Sequence, residues 1–188
     1  IINFISTSKK FVHHFHIPLQ SGSDSILRLM RRRYNTELYR SRIEKINKLM
    51  PDACIGVDVI VGFPGEDDDL FLESMSFLEN LNVSYLHVFT YSERDNTYAI
   101  SLPDSVHVNV RAKRSKLLRL LSSRKKATFY EQNIGSIQDV LFESEEKDGF
   151  IEGFSSNYIR FRRPWDPNLI GTIVKSIFID IDSEGFAT

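Results

Sequence analysis

The segment Cys54-Ile55-Gly56-Val57-Asp58-Val59-Ile60-Val61 is apolar at almost every position and is halted by Gly62-Phe63-Pro64-Gly65. A half-exposed strand alternates, so a run this uniform predicts a strand covered on both faces, the usual state of a parallel strand between helices. The neighbouring patterns agree. Residues 11–19 predict a strand that ends in Gln20-Ser21-Gly22-Ser23-Asp24, where Ser and Asp suit the cap of a helix carrying Ile26, Leu27, Met30 and Tyr34 on one side. A second helix starts near Thr36, carries Tyr39, Ile43, Ile46 and Met50 at helical spacing, and stops at Pro51. Residues 66–81 return to helical period with Phe71, Met75 and Leu78 inward, residues 84–91 predict a third strand, and residues 108–133 a long helix. Strands alternating with helices at this spacing predict right-handed parallel βα units.

Beyond Gly135 the pattern changes. Residues 137–142, 150–154, 157–163 and 170–181 predict short strands separated by Gly, Asn, Pro and Asp turns, as in a small β-barrel or sandwich. The expected organisation is therefore α/β followed by all-β: a βα layer over residues 1–134, ending in the long helix, and a β module over residues 135–188. The net charge of −1 conceals a segregation of charge. Residues 109–134 hold 8 Lys and Arg against 1 acidic residue, whereas the flanking parts are net acidic. A helix this basic predicts either a solvated face or a footprint for a polyanion. No apolar run reaches the roughly 20 residues of a membrane span, so no membrane association is expected. Cys54 is the single cysteine, which excludes a disulfide framework and a cysteine-built zinc or iron–sulfur site made by this chain alone. The chain does not begin with Met and is expected to be a fragment.

In parallel βα folds, sites form where the loops after successive strands converge. That geometry selects residues 20–23, 62–66 and 91–97. Gln20, Ser21 and Ser23 set amide and hydroxyl groups beside the N–H groups of a helix start, a place suited to a carboxylate, ribose or phosphate oxygen; for Ser23 taken alone, a plain helix cap is the better reading. Gly62 and Gly65 either simply form a tight turn or allow a flat ligand to approach the backbone, with Phe63 and Pro64 as apolar surface. Asp58 sits inside an apolar strand and needs a dedicated partner or ligand. His13, His14 and His16 invite a metal, but no carboxylate or thiolate stands at ligand spacing nearby, so a structural role is expected and no metal site. Arg28, Arg31, Arg32 and Arg33 crowd one helix and its end, either as a solvated face or facing an anionic partner. In the β module, Tyr158, Arg160 and Arg162 are expected to face outward together, an arrangement that can stack bases and hold phosphates. Because that module is net acidic, an RNA would have to straddle this strand and the basic helix, where Arg124 and Lys125 are further candidate contacts.

The segments His16-Ile17-Pro18-Leu19-Gln20-Ser21-Gly22-Ser23 and Asp58-Val59-Ile60-Val61-Gly62-Phe63-Pro64-Gly65-Glu66, with Tyr91-Ser92-Glu93-Arg94 and then Thr97 and Ala99, resemble the later part of the radical S-adenosylmethionine methylthiotransferases. The β tail is similar to the TRAM barrel, the small RNA-binding domain that ends those enzymes. Within the family, the chain most resembles the tRNA-modifying branch that acts on threonylcarbamoyladenosine. The resemblance implies the C-terminal half of a partial TIM-like barrel, an S-adenosylmethionine cofactor, and insertion of a methylthio group at C2 of a hypermodified adenosine beside the anticodon of a cytoplasmic tRNA. It implies that Gln20, Ser21 and Ser23 line the ribose and methionine end of the cofactor, that Val61, Gly62, Phe63 and Pro64 line its adenine edge, and that Asp58 and Arg94 belong to the pocket wall. Tyr158 and Arg160 would meet the tRNA anticodon stem-loop. Two positions depart from the family pattern: Asn96 stands where Gly is usual, which puts the loop backbone in question, and Asp67 stands where Thr is common, which alters only a helix cap.

The iron–sulfur cysteines of the family have no counterpart in this sequence, so the chain alone is expected to be inactive. Two other readings are open: a ribosomal-protein methylthiotransferase of the same family, and a non-catalytic RNA-binding adapter. A barrel cut in mid-sheet also exposes the edge of its first strand, around residues 11–19, which predicts self-association there.

Overall fold

The structure, a computed structural model, describes residues 1–143 and 145–188. The chain divides into two compact units. One comprises Phe15–Leu49 and Ile55–Lys126, the other Ile1–His14, Met50–Cys54 and Ala127–Thr188.

The first unit is built on a sheet in the order β1 (His14–His16), β2 (Cys54–Val61), β3 (Tyr85–Thr90). β2 and β3 are parallel, with Val57 opposite Leu86, Asp58 opposite His87 and Ile60 opposite Phe89. β1 is shorter than expected because its neighbour β2 begins only at Cys54, whose N–H bonds the His13 carbonyl at 2.8 Å. Phe11 and Val12 therefore have no strand to join and stay exposed. Past β1 the chain continues alongside β2: Ile17 N–H donates to Gly56 at 2.9 Å and Leu19 N–H to Asp58 at 3.2 Å.

Helices α2 (Asp24–Leu29), α3 (Thr36–Leu49), α4 (Asp68–Asn80) and α5 (Val108–Asn133) supply the rest of this unit's core, although the last turns of α5 belong to the other unit. A short helix α1 (Ile2–Ile5) precedes β1. Val57, Val59 and Val61 are buried, as are Ile26, Ile43, Ile46, Phe71, Leu78 and Leu118. The expectation that β2 is covered on both faces holds only for its first half. Asp58 and Ile60 are half-buried and their partners His87 and Phe89 are exposed, which leaves one sheet face open toward its C-terminal end. α4 starts at Asp68 because Asp67 caps it, accepting the Leu70 N–H at 2.8 Å.

In the second unit, β4 (Ile137–Lys147), β5 (Phe150–Ser155), β6 (Arg160–Pro164) and β7 (Ile173–Ile177) form an antiparallel sheet in the order β6-β5-β4-β7. Val140, Phe142, Ile151, Ile159, Phe161 and Phe178 form its core. β4 runs five residues beyond its expected end, because Asp148 and Gly149, at φ 51° and 80°, make a tight turn that sets Lys147 opposite Phe150. The expected barrel is not formed: among the described residues no ladder joins β6 to β7, and β6 gains only a single bridge from Phe161 to Ala187.

Candidate cofactor pocket

A cavity of about 470 Å³ lies at the C-terminal ends of β2 and β3, lined by Ile60, Phe63, Phe89, Tyr91, Ser92, Arg94, Tyr98 and, from the end of α2 onward, Leu29, Met30, Arg31 and Arg32. Its volume falls in the range of small-molecule sites. Ile60 and Phe89 reach it because they sit opposite each other on the open sheet face. Phe63 is brought in by the turn after β2 and packs edge-on against Tyr91 at 5.3 Å between centroids. Arg31 lies over the Tyr98 ring at 3.6 Å, so the pocket has aromatic walls with guanidinium groups at its rim.

The turn that places Phe63 is pinned from beneath. Gly62 adopts φ 74°, and a side chain there would collide with Arg111. Its N–H donates to Glu66 Oε1 at 2.8 Å, and the same oxygen receives Arg114 Nη1 at 2.8 Å. Arg114 also bonds the Glu66 carbonyl at 2.8 Å and Asp68 at 2.6 Å. Burial pushes the Glu66 carboxyl above its ordinary pKa, an effect that the Gly62 N–H and Arg114 oppose. Arg111 ties down the loop after β3, donating to the Tyr91 carbonyl at 2.9 Å and to Glu93 at 2.5 Å. Its hydrogen bond to Glu93 holds that carboxyl below the usual carboxylate range. Sequence reasoning read Arg111 and Arg114 only as part of a basic helix; both are buried and spent on these loops.

Of the expected cofactor residues, Phe63 and Arg94 line the pocket. Gln20 is half-buried at φ 78°, where it bridges Val59. Ser21 and Ser23 are fully buried and do not line it. Ser23 Oγ donates to Glu73 at 2.6 Å, Ser21 Oγ accepts the Ser23 N–H at 3.2 Å, and the Gly22 N–H is taken by Ser74. The start of α2 thus has these donors satisfied inside the fold. Val61 points to the buried side of β2, opposite to Ile60, and its side chain does not line this cavity. Gly62 and Pro64 are buried in the turn, and Asp58 is engaged by His16 at 2.6 Å. The carboxylate that the His cluster lacked in sequence is Asp58, brought in from 42 residues away. Ile60, Phe89 and Tyr98 went unrecognised; the register of two parallel strands would have found the first two. Asn96 takes φ 62°, so the loop keeps the left-handed geometry that a glycine would give it.

The expected RNA contacts fare unevenly. Arg162 does not face outward: its side chain is 14% exposed and pairs with Asp182 at 2.7 Å and Glu184 at 2.9 Å. Arg160 is bound to Glu152 and lies over the Phe186 ring at 4.5 Å. Tyr158 is exposed at its edge, but its ring is already stacked on His14 at 3.9 Å and Phe154 at 4.7 Å. Lys125 Nζ is half-buried and donates to the carbonyls of Glu79 and Leu81 at the end of α4. Arg124 is exposed, 3.7 Å from Glu79.

Residues 4–78 match the family described as the radical SAM superfamily. The threonylcarbamoyladenosine tRNA methylthiotransferase MtaB of Bacillus subtilis is 38% identical over 180 residues, which cover 93% of this chain and 40% of that protein. The tRNA-2-methylthio-N(6)-dimethylallyladenosine synthase of Vesicomyosocius okutanii is 39% identical over 166 residues, 88% of this chain and 38% of that one. The chain is a relative of the radical SAM tRNA methylthiotransferases. It spans about two fifths of the length of these curated relatives. Both named kinds of tRNA enzyme match at nearly the same identity, so identity does not choose between them. The βα unit is an α/β layer of radical SAM type, and among the described residues no helix is long and apolar enough to cross a membrane.

Proposed function

We propose that this chain supplies one wall of an S-adenosylmethionine site in an enzyme that adds a methylthio group at C2 of a hypermodified adenosine beside the anticodon of a cytoplasmic tRNA. The observation that carries this is the pocket at the strand ends, with aromatic walls at Phe63, Phe89 and Tyr91 and guanidinium groups at Arg31 and Arg94. Such a donor set fits the ligand: flat apolar surface suits an adenine, and a guanidinium suits the carboxylate of the methionine moiety. When bound, S-adenosylmethionine would supply the radical chemistry and the methyl group. The protein's own part is to hold the ligand: Phe63 would offer the base an apolar surface, Arg94 would pair with the carboxylate, and the buried Glu66–Arg114 pair keeps the Phe63 turn in place.

An iron–sulfur cluster does not fit this chain's residues, because its single cysteine, Cys54, is buried in a strand. The 188 residues alone are therefore expected to turn nothing over. We assign the tRNA to the exposed positive face of α5, at Lys113, Lys116, Arg119 and Arg124; a TRAM-like role of the β module, taken by itself, belongs to this proposal with the Tyr158 edge and Arg160 as its candidate contacts.

Calorimetric titration of the chain with S-adenosylmethionine tests the pocket. Saturable binding that falls at least about tenfold in Phe63→Ala and in Arg94→Ala is expected. Binding unchanged in both variants, or S-adenosylmethionine cleavage by the isolated chain after anaerobic cluster reconstitution, overturns the reading.

A further inference from the structure

On the open face of the three-stranded sheet, each strand contributes one side chain to a compact cluster. His16 comes from β1, Asp58 from β2 and His87 from β3. Asp58 and His87 are register partners on parallel strands, so their side chains leave the sheet on the same side. His16 Nε2 lies 2.6 Å from Asp58 Oδ1, and the His16 ring stacks against that of His87 with centroids 5.1 Å apart. One ligand atom from each residue falls within 4.8 Å of the other two.

We propose that His16, Asp58 and His87 form a binding site for a divalent transition-metal ion of zinc type. Two imidazoles and one carboxylate are a borderline nitrogen and oxygen donor set that suits zinc, cobalt and nickel, and it uses no thiolate. Zinc bonds to such donors of about 2.0–2.2 Å require the ligand atoms to stand about 3.4 Å apart in a tetrahedron. The present spacing reaches that by opening the His16–Asp58 contact slightly and turning the exposed His87 ring inward. The backbone need not move, because the hydrogen bonds of Ile17 to Gly56 and of Leu19 to Asp58 already fix β1 against β2. His16 and His87 are exposed while Asp58 is half-buried, so a fourth position faces solvent, as in zinc sites that keep a water ligand. A cation there also answers the question that Asp58 poses, a carboxylate set in an otherwise apolar strand. A plain His16–Asp58 hydrogen bond accounts for two of the residues, while the β3 register and edge-to-face packing on Tyr85 at 5.0 Å hold the His87 ring beside them.

The test uses the full 188-residue chain, stripped of metal with a chelator and titrated with zinc by calorimetry and with cobalt by absorption spectroscopy. One ion per chain is expected, with the absorption bands of low-coordinate cobalt. Affinity should fall at least about tenfold in His87→Ala and in Asp58→Asn, and remain unchanged in His107→Gln, whose ring lies on a separate loop. Circular dichroism establishes that each variant is folded. Should Asp58→Asn unfold, the exposed His87→Ala decides. Absence of saturable binding, retention of full affinity in His87→Ala, or an equal loss in His107→Gln overturns the proposal.

Discussion

Replacing Arg114 by Met should be the most damaging single change in the βα unit, and its cost should depend on pH. The Arg114 side chain is 6% exposed and that of Glu66 2%, so the change removes the cation from a buried carboxylate without giving that carboxylate water. Breaking a buried pair from one side costs about 3–5 kcal/mol, and the companion contact to Asp68, which is 89% exposed, adds little. Burial already raises the Glu66 pKa in the native protein, and without Arg114 it rises further. A carboxyl whose folded pKa exceeds its unfolded value favours folding fully below the unfolded pKa and loses that advantage as pH rises through the folded one. The penalty in Arg114→Met should therefore be largest at neutral pH and shrink on acidification toward the ordinary Glu pKa. Glu66→Gln in the same background should restore part of the loss at neutral pH, because the amide oxygen still accepts the Gly62 N–H. Urea denaturation followed by far-ultraviolet circular dichroism measures this, since the single tryptophan, Trp165, belongs to the other unit. A loss within about 0.5 kcal/mol, or a double variant no more stable than Arg114→Met, refutes the role given to the pair.

Gly62→Ala should cost about 1–3 kcal/mol in the same assay, because it forces a side chain into φ 74° and against Arg111. Burial pushes Asp182 upward, but the N–H groups of Phe186 and Glu184 and the Arg162 guanidinium outweigh it and hold its pKa below the usual value. The β module should therefore lose stability as pH falls through that depressed pKa, read by Trp165 fluorescence, and Asp182→Asn should flatten the dependence. Lys125→Met should lower stability and leave tRNA affinity unchanged, whereas Lys116→Ala with Arg119→Ala should weaken tRNA binding in gel-shift titrations and reduce its salt slope by roughly 2. Sedimentation velocity should detect self-association through β1, an outer strand of the three-stranded sheet; a strict monomer at high concentration counts against it.

Much of the layer order was legible because burial writes a periodic signal. β2 and α5 fall where the apolar run and the long basic stretch put them, at Cys54–Val61 and Val108–Asn133. The errors arose where a partner decides the outcome. Residues 11 and 12 have strand composition but no neighbouring strand to join, and Glu146 and Lys147 extend β4 only because the Asp148-Gly149 turn sets them opposite Ile151 and Phe150. Closure of the β module depends on pairing at its two edges, and no single segment encodes that.

The site was less legible than the fold, for a physical reason visible in Ser23 and Arg114. Sequence pattern reports which residues can do chemistry, but not whether the fold has already used them. Ser23 sits where a ligand oxygen could bind, yet Glu73, 50 residues away, takes its hydroxyl. Arg114 belongs to a helix that reads as a polyanion footprint, yet Glu66 and Asp68 consume it. Asp58 runs the other way: its isolation in an apolar strand demanded a partner, and only the register of β1 and β3 reveals two histidines beside it. The charge on α5 is thus divided. Arg111, Arg114 and Lys125 hold the loops and the end of α4, while Lys113, Lys116, Arg119 and Arg124 remain exposed. Only the second group is placed to attract a polyanion, which is why the salt slope of tRNA binding should follow those residues and the stability of the fold the others.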